Sequence, residues 1–144
     1  MKRKIDVRSG YERVLLPFSK SPKYVGIPKV SVILKSPSTL NETEFSKSFL
    51  LDTGASISVV NSIYEDFIGE LEEIDRLNIR YGAGSVKLLP VFKVIFVIKG
   101  YEVLSTVAYD PDIPYQILGH FDFLENFTYT LFDSSLKESR LIKI

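Results

Sequence analysis

The chain has 144 residues, 45% of them hydrophobic and 25% charged, with eighteen basic and eighteen acidic side chains that cancel. That length suits one domain with a real core, and the balanced charge gives no field to hold nucleic acid or an anionic membrane. With no cysteine and one histidine, thiol nucleophiles, disulfide frameworks, cysteine metal sites and multi-histidine zinc sites are excluded.

The start, Met1-Lys2-Arg3-Lys4, is basic, but the nearby apolar run Val14-Leu15-Leu16 stops at Pro17, too short for a signal-peptide core. The longest apolar run, Val94-Ile95-Phe96-Val97-Ile98, suits a buried strand and falls well short of the ~20 residues of a membrane-spanning helix. The expectation is a soluble, cytoplasmic protein with neither a membrane nor a nucleic-acid partner. Residues 1–28 read as an N-terminal arm, ordered where something such as a partner subunit holds it, and residues 29–144 as the domain proper.

Residues 30–34 and 49–51 are apolar runs of strand character, separated by the polar, turn-forming stretch 36–44. Residues 57–60 predict a further strand. The period then changes: Ile63, Phe67, Ile68, Leu71 and Ile74 recur at helical spacing, with Glu65, Asp66, Glu70, Glu72, Glu73 and Asp75 opposite them. This predicts one amphipathic helix with a solvated acidic face. Strands at 78–81 and 86–89 flank Gly82-Ala83-Gly84-Ser85, the composition of a hairpin tip. A long strand over 91–98 turns at Lys99-Gly100 into another over 101–108. Asp110-Pro111-Asp112-Ile113-Pro114 reads as a loop, and Asp110 and Asp122 as surface turn residues. After the short apolar run Ile117-Leu118 and Gly119, residues 121–126 predict one or two helical turns and 128–132 a last strand. The whole is mostly β, of a size for a small barrel or sandwich. Phe92, Phe96, Phe121, Phe123, Phe127 and Phe132 supply its core or an interface between copies.

Asp52-Thr53-Gly54-Ala55-Ser56 sets a carboxylate directly after two apolar residues, on a turn whose glycine lets backbone groups come close. Such a carboxylate is partly buried yet served by backbone N–H donors. An ordinary turn aspartate capping its own backbone has the same local signature. The order and spacing of two further motifs set this one apart. Tyr81-Gly82-Ala83-Gly84-Ser85 lies about thirty residues on, and Ile117-Leu118-Gly119 follows later. In these three motifs the chain resembles the retropepsin-like (retroviral-type) aspartic proteases over residues 30–133, with a flap motif similar to that of the pepsin-like members. The stretch from Gly119 through Phe123, Leu124 and Phe127 to Asp133 resembles the helix and last strand of bacterial relatives.

The resemblance implies an all-β acid-protease barrel with one amphipathic helix after the active-site strand and a short helix near the C-terminus. It also implies an endopeptidase acting on peptide or protein substrates without metal or cofactor. Asp52 would be the catalytic residue. No second Asp-Thr-Gly or Asp-Ser-Gly is present, and Asp133-Ser134-Ser135 lacks the glycine, so the second carboxylate would come from a homodimer. Thr53 would bond across the dimer axis, and Gly54 would admit substrate and water, with Ala55 and Ser56 completing the turn. Tyr81, Gly82, Ala83, Gly84 and Ser85 would form the flap, and Ile117, Leu118 and Gly119 the support beneath the turn. Retroviral members carry Ala-Asp and Gly-Arg, a charged pair, where this chain has Ala55-Ser56 and Gly119-His120. A histidine has no required part in this chemistry, so His120 reads as structural. The rival reading is a dimerisation or peptide-binding module that keeps the fold without efficient proteolysis.

Overall fold

The computed structural model describes residues 4–144 apart from Ala83, and the backbone but not the side chain of Ile63. The expectations for Ala83 at the hairpin tip and for the Ile63 side chain on a helix face lie outside the described residues. In chain order the strands are β1 (Ile5–Gly10), β2 (Glu12–Leu16), β3 (Lys23–Ile27), β4 (Lys29–Lys35), β5 (Lys47–Leu51), β6 (Ser58–Val60), β7 (Glu73–Arg80), β8 (Val86–Ile98), β9 (Tyr101–Tyr109), β10 (Gln116–Leu118), β11 (Tyr129–Asp133) and β12 (Glu138–Lys143). Among the described residues a single short helix, α1 (Glu65–Ile68), follows a 3-10 turn at Ser62–Tyr64, and a second 3-10 turn spans Leu124–Asn126. No helix among the described residues is long and apolar enough to cross a membrane.

The sheet runs β4-β5-β10-β6-β9-β8, and β8 pairs back onto β4 through Ile33 with Val97 and Leu34 with Phe96, closing a barrel. Closure leaves these strands without free edges. The β-branched and aromatic runs supply its filling: Val32, Leu34, Phe49, Val94, Phe96 and Leu118 are fully buried. Phe49 meets Phe96 edge to face with ring centroids 5.6 Å apart, and Phe96 meets Phe123 in the same way at 5.5 Å. Such pairs contribute about 0.5–1.5 kcal/mol each beyond the area they bury. Phe92 and Phe127 are buried with them, whereas Phe121 and Phe132 are exposed.

The helix over 63–75 is corrected. Only Glu65–Ile68 is α-helical, and from Glu73 the chain is strand β7, paired with β8 up to Arg80 opposite Val86. Phe67, Ile68 and Leu71 do bury, but Ile74 is 45% exposed where the register shifts between Glu73 and Asp75. Gly69 interrupts the periodic stretch, and the ladder offered by the long β8 outweighs local helical spacing. The result is a β7–β8 hairpin that projects past the barrel.

Residues 5–10 are held by the chain's own last strand, β1 pairing with β12 from Ile5 opposite Lys143 to Gly10 opposite Glu138. Asp6 accepts two hydrogen bonds from the Arg140 guanidinium, at 2.7 and 3.2 Å, across that pair. β11 completes this sheet on the other side of β12. β2 and β3 form a separate hairpin whose base is tied by Lys29 to Glu12 at 3.5 Å.

Candidate active site

Asp52 emerges where β5 leaves the barrel. Leu51 pairs in parallel with Leu118 of β10, and the Asp52 amide donates to the Leu118 carbonyl at 3.1 Å. The Ala55 amide then donates to the Asp52 carbonyl at 3.1 Å, closing the turn, and the Gly54 amide donates to Asp52 Oδ1 at 2.9 Å. The carboxylate is partly buried, while Thr53 and Gly54 are exposed. A Cβ at Gly54 would stand 3.2 Å from Asp52 Oδ1, so the glycine leaves room for that oxygen.

Behind the turn runs β10 and the residues after it. Gly119 is buried so closely that a Cβ there would lie 2.6 Å from the Ile57 carbonyl carbon and oxygen. Its amide donates to the Ser58 hydroxyl at 3.0 Å, the His120 amide to the Ala55 carbonyl at 3.0 Å and the Phe121 amide to the Ser56 carbonyl at 2.9 Å. The exposed His120 ring donates through Nε2 to the Thr53 carbonyl at 2.6 Å. Every residue from Thr53 to Ser56 except Gly54 thus has its carbonyl bonded to His120 or Phe121, and Gly54 is fixed through its own amide.

Above the turn lies the end of the β7–β8 hairpin. The Tyr81 amide donates to the Ser85 carbonyl and the Gly84 amide to the Tyr81 carbonyl, both at 2.9 Å, and Gly84 takes a φ of 86°. That left-handed conformation is why a glycine stands there. Asp52, Gly54, Ala55, Ser56, Tyr81, Gly82 and Ile117 line one cleft of about 160 Å³. It adjoins a wider one of about 750 Å³ between the Asp52 turn, β7, His120 and Phe121. Leu118 and Gly119 sit behind the turn and do not line the cleft, and Gly84 and Ser85 shape the tip without lining it.

Asp110 is not a surface turn residue. It is 1% exposed, and Tyr81 Oη donates to its Oδ2 at 2.6 Å. Lys87 Nζ lies 3.2 and 3.3 Å from its two oxygens, and the Asp112 amide donates to Oδ1 at 3.0 Å. Burial alone would raise its carboxyl, but the Tyr81 hydroxyl, the Asp112 amide and Lys87 together hold it below the ordinary aspartate range. Burial and this carboxylate push the Tyr81 phenol well above its ordinary value. Asp122 is likewise tied in, by Lys93 at 2.8 Å and the Thr106 hydroxyl at 2.7 Å. The readable signal for Asp110 was on β8. Lys87 alternates in phase with the buried Leu89 and Val91, and a lysine on that face needs a carboxylate, whereas Lys93 lies on the face opposite the buried Phe92, Val94 and Phe96 and gave no such signal for Asp122.

No protein-family model and no curated protein matches the chain. Solved structures do. The EIAV protease complexed with the inhibitor HBY-793 is 20% identical, covers 72% of this chain and 88% of its own, and aligns with a TM-score of 0.51. The foamy viral protease-reverse transcriptase in complex with an RNA/DNA hybrid is 22% identical over 73% of this chain and 13% of its own, with a TM-score of 0.51. A retropepsin-like aspartic protease from Rickettsia conorii is 13% identical yet covers 99% of this chain and 97% of its own, with a TM-score of 0.52. The closed barrel, the short helix and the hairpin over the Asp52 turn are, together, the fold of the retropepsin-like aspartic proteases.

Proposed function

We propose that the protein is an aspartic endopeptidase whose active site is completed by a second copy of the chain. The observation that carries this is the setting of Asp52. Its carboxylate is partly buried, fixed by a backbone N–H, and faces a cleft covered by a tyrosine-bearing hairpin.

Peptide hydrolysis at such a site needs one group to take a proton from water and another to protonate the peptide. Two carboxylates about 3 Å apart cannot both ionise, so they share a proton and supply both roles. The ionised carboxylate takes the water proton as the water oxygen bonds to the peptide carbonyl carbon, and the protonated one gives its proton to the carbonyl oxygen. Collapse then breaks the C–N bond as the carboxyl that took the water proton gives it to the leaving nitrogen and the other carboxylate takes a proton from one hydroxyl of the intermediate, leaving one proton on the pair. The cleft of one chain holds a single Asp52, and a two-fold contact brings a second into place. In this reading Thr53, which is exposed beside Asp52, bonds across that axis. Gly54 admits substrate, and the hairpin from Tyr81 to Ser85 closes over it. Ile117, Leu118 and Gly119 hold the turn from behind.

The test mixes unfolded wild-type and Asp52→Asn chains in equal amounts and refolds them together. Random pairing leaves about a quarter of the dimers with two aspartates, so activity falls to about a quarter of that of the same total amount of wild type. A fall to only about half means that each chain works alone and defeats the shared site. Cleavage by Asp52→Asn itself defeats the protease reading.

A further inference from the structure

We propose that Asp110 is the anchor of the flap, a positioning residue that fastens Tyr81 to the barrel before substrate arrives. The proposal rests on reading the β7–β8 hairpin as the flap of a protease cleft, but its geometry stands independently of catalysis.

Besides this anchor, one small apolar cluster holds the hairpin's far end. Along β7 only Ile79 is buried, packing with Leu89, Val91 and Ala108 one rung in from the tip, opposite Lys87, and Tyr81 packs against the same cluster. At the tip, a Cβ on Gly82 or Gly84 would meet nothing within 4 Å. Beside that cluster, both legs of the hairpin converge on one carboxylate. Tyr81 reaches Asp110 from the end of β7, and Lys87 reaches it from β8, one position in from the tip pair Arg80 and Val86.

Asp110 is itself firmly placed. Its amide donates to the Val60 carbonyl at 2.9 Å, extending the β6–β9 pairing by one rung, and β6 begins two residues beyond Ser56. The flap is therefore referenced to the same strand that carries the chain away from the Asp52 turn. A carboxylate this deeply buried is costly unless donors surround it, and this one has the Tyr81 hydroxyl, the Lys87 ammonium and the Asp112 amide. Opening the hairpin pulls two of these donors away and leaves the charge short of partners. The anchor thereby sets how readily the cleft opens.

Amide hydrogen exchange on the full-length protein tests this without requiring any proteolysis. A hydrogen bond to a charged acceptor is worth enough that its loss shifts a local opening equilibrium about tenfold or more. Tyr81→Phe and Asp110→Asn should each speed exchange over residues 77–88 by that factor. The double variant should exchange no faster than the faster single, because both changes cut the same link. Exchange in β11 and β12 should be unchanged, as should the hairpin's exchange in Arg76→Ala, which loses only a contact to Glu73 on the same strand. By NMR, a protected hydroxyl proton should vanish in Tyr81→Phe and move upfield in Asp110→Asn, where the acceptor is neutral. If Asp110→Asn fails to fold, Tyr81→Phe decides alone, since it removes one hydroxyl. Exchange over 77–88 within twofold of wild type in Tyr81→Phe overturns the anchor, and so does an additive double variant. Loss of peptide cleavage with the exchange pattern intact would count against the protease reading only.

Discussion

Replacing Gly119 by alanine tests whether the Asp52 turn is built on a close backbone approach. The new Cβ would lie 2.6 Å from both the carbonyl carbon and the oxygen of Ile57 and 2.9 Å from the Ala55 carbonyl oxygen. Ordinary contact between such atoms begins near 3.5 Å, so the overlap approaches an ångström, and all three atoms are backbone, with no side chain that could rotate away. Neither wall is free to move. The Gly119 amide is bonded to Ser58, its carbonyl accepts from Leu124 at 3.1 Å, and the Ala55 carbonyl is bonded to the His120 amide. Overpacking a fitted site costs about 1–3 kcal/mol, and with backbone on both sides the upper figure applies. A domain of this size loses about 2–4 °C of Tm per kcal/mol, so the expected fall is about 6–12 °C. Gly26→Ala is the control, because its Cβ would meet a side chain, Tyr11, at 2.9 Å from a ring carbon and 3.3 Å from its Cβ, and no backbone atom comes as close. Thermal melts followed by circular dichroism give the answer. A Gly119→Ala protein that melts no lower than Gly26→Ala would refute the close-approach argument.

The two hairpin glycines should behave differently. Gly84 has a φ of 86° and Gly82 is not left-handed, so Gly84→Ala should cost about 1–2 kcal/mol by chemical denaturation while Gly82→Ala stays within about 0.5 kcal/mol; equal costs would mean the tip conformation is not specified by Gly84. The β1–β12 pairing should be acid-sensitive only at low pH. The Arg140 guanidinium holds the Asp6 carboxyl below its ordinary value, against a smaller effect of burial, so the ion pair's contribution is fully present above the ordinary aspartate value, about 3.9. It is lost as pH falls through the lower folded-state value. NMR signals of the Val7 and Ser9 amides should therefore hold their positions down to about pH 4 and shift below it; movement already between about pH 6 and 5 would point to a different titrating group.

Much of the barrel was legible because its strands are apolar on at least one face. β4, β5, β6, β8, β9 and β10 all coincide with β-branched or aromatic runs. What escaped were elements whose partners, rather than their own residues, make them strands. The end of β7 was legible as the strand at 78–81, but the strand is exposed at every position but Ile79 and its first part owes its form to β8. Its first residues even carry a helical period that the ladder overrides. β1, β2, β3 and β12 are too rich in charge to announce themselves, and β1 and β12 depend on one another across the whole length of the chain. At the site, Asp52 and its turn stood out because the motif is contiguous. Asp110 did not, because its proline-flanked loop has the composition of a surface turn, while Tyr81 and Lys87 are 29 and 23 residues away.

The departure at Ser56 and His120 follows from how the turn is fastened. In the resembled viral enzymes a charged pair joins these two positions, yet here the fastening runs through the main chain. Ala55 and Ser56 offer carbonyls to the amides of His120 and Phe121, and the Thr53 carbonyl accepts from the His120 ring. A backbone pairing of this kind is indifferent to the side chain at position 56. It demands only that the turn after β10 approach closely enough for its amides to reach, which is the approach that excludes a Cβ at Gly119. The charged pair is therefore dispensable where the glycine is not, and the ring of His120 adds one bond to a corner already closed on either side of it.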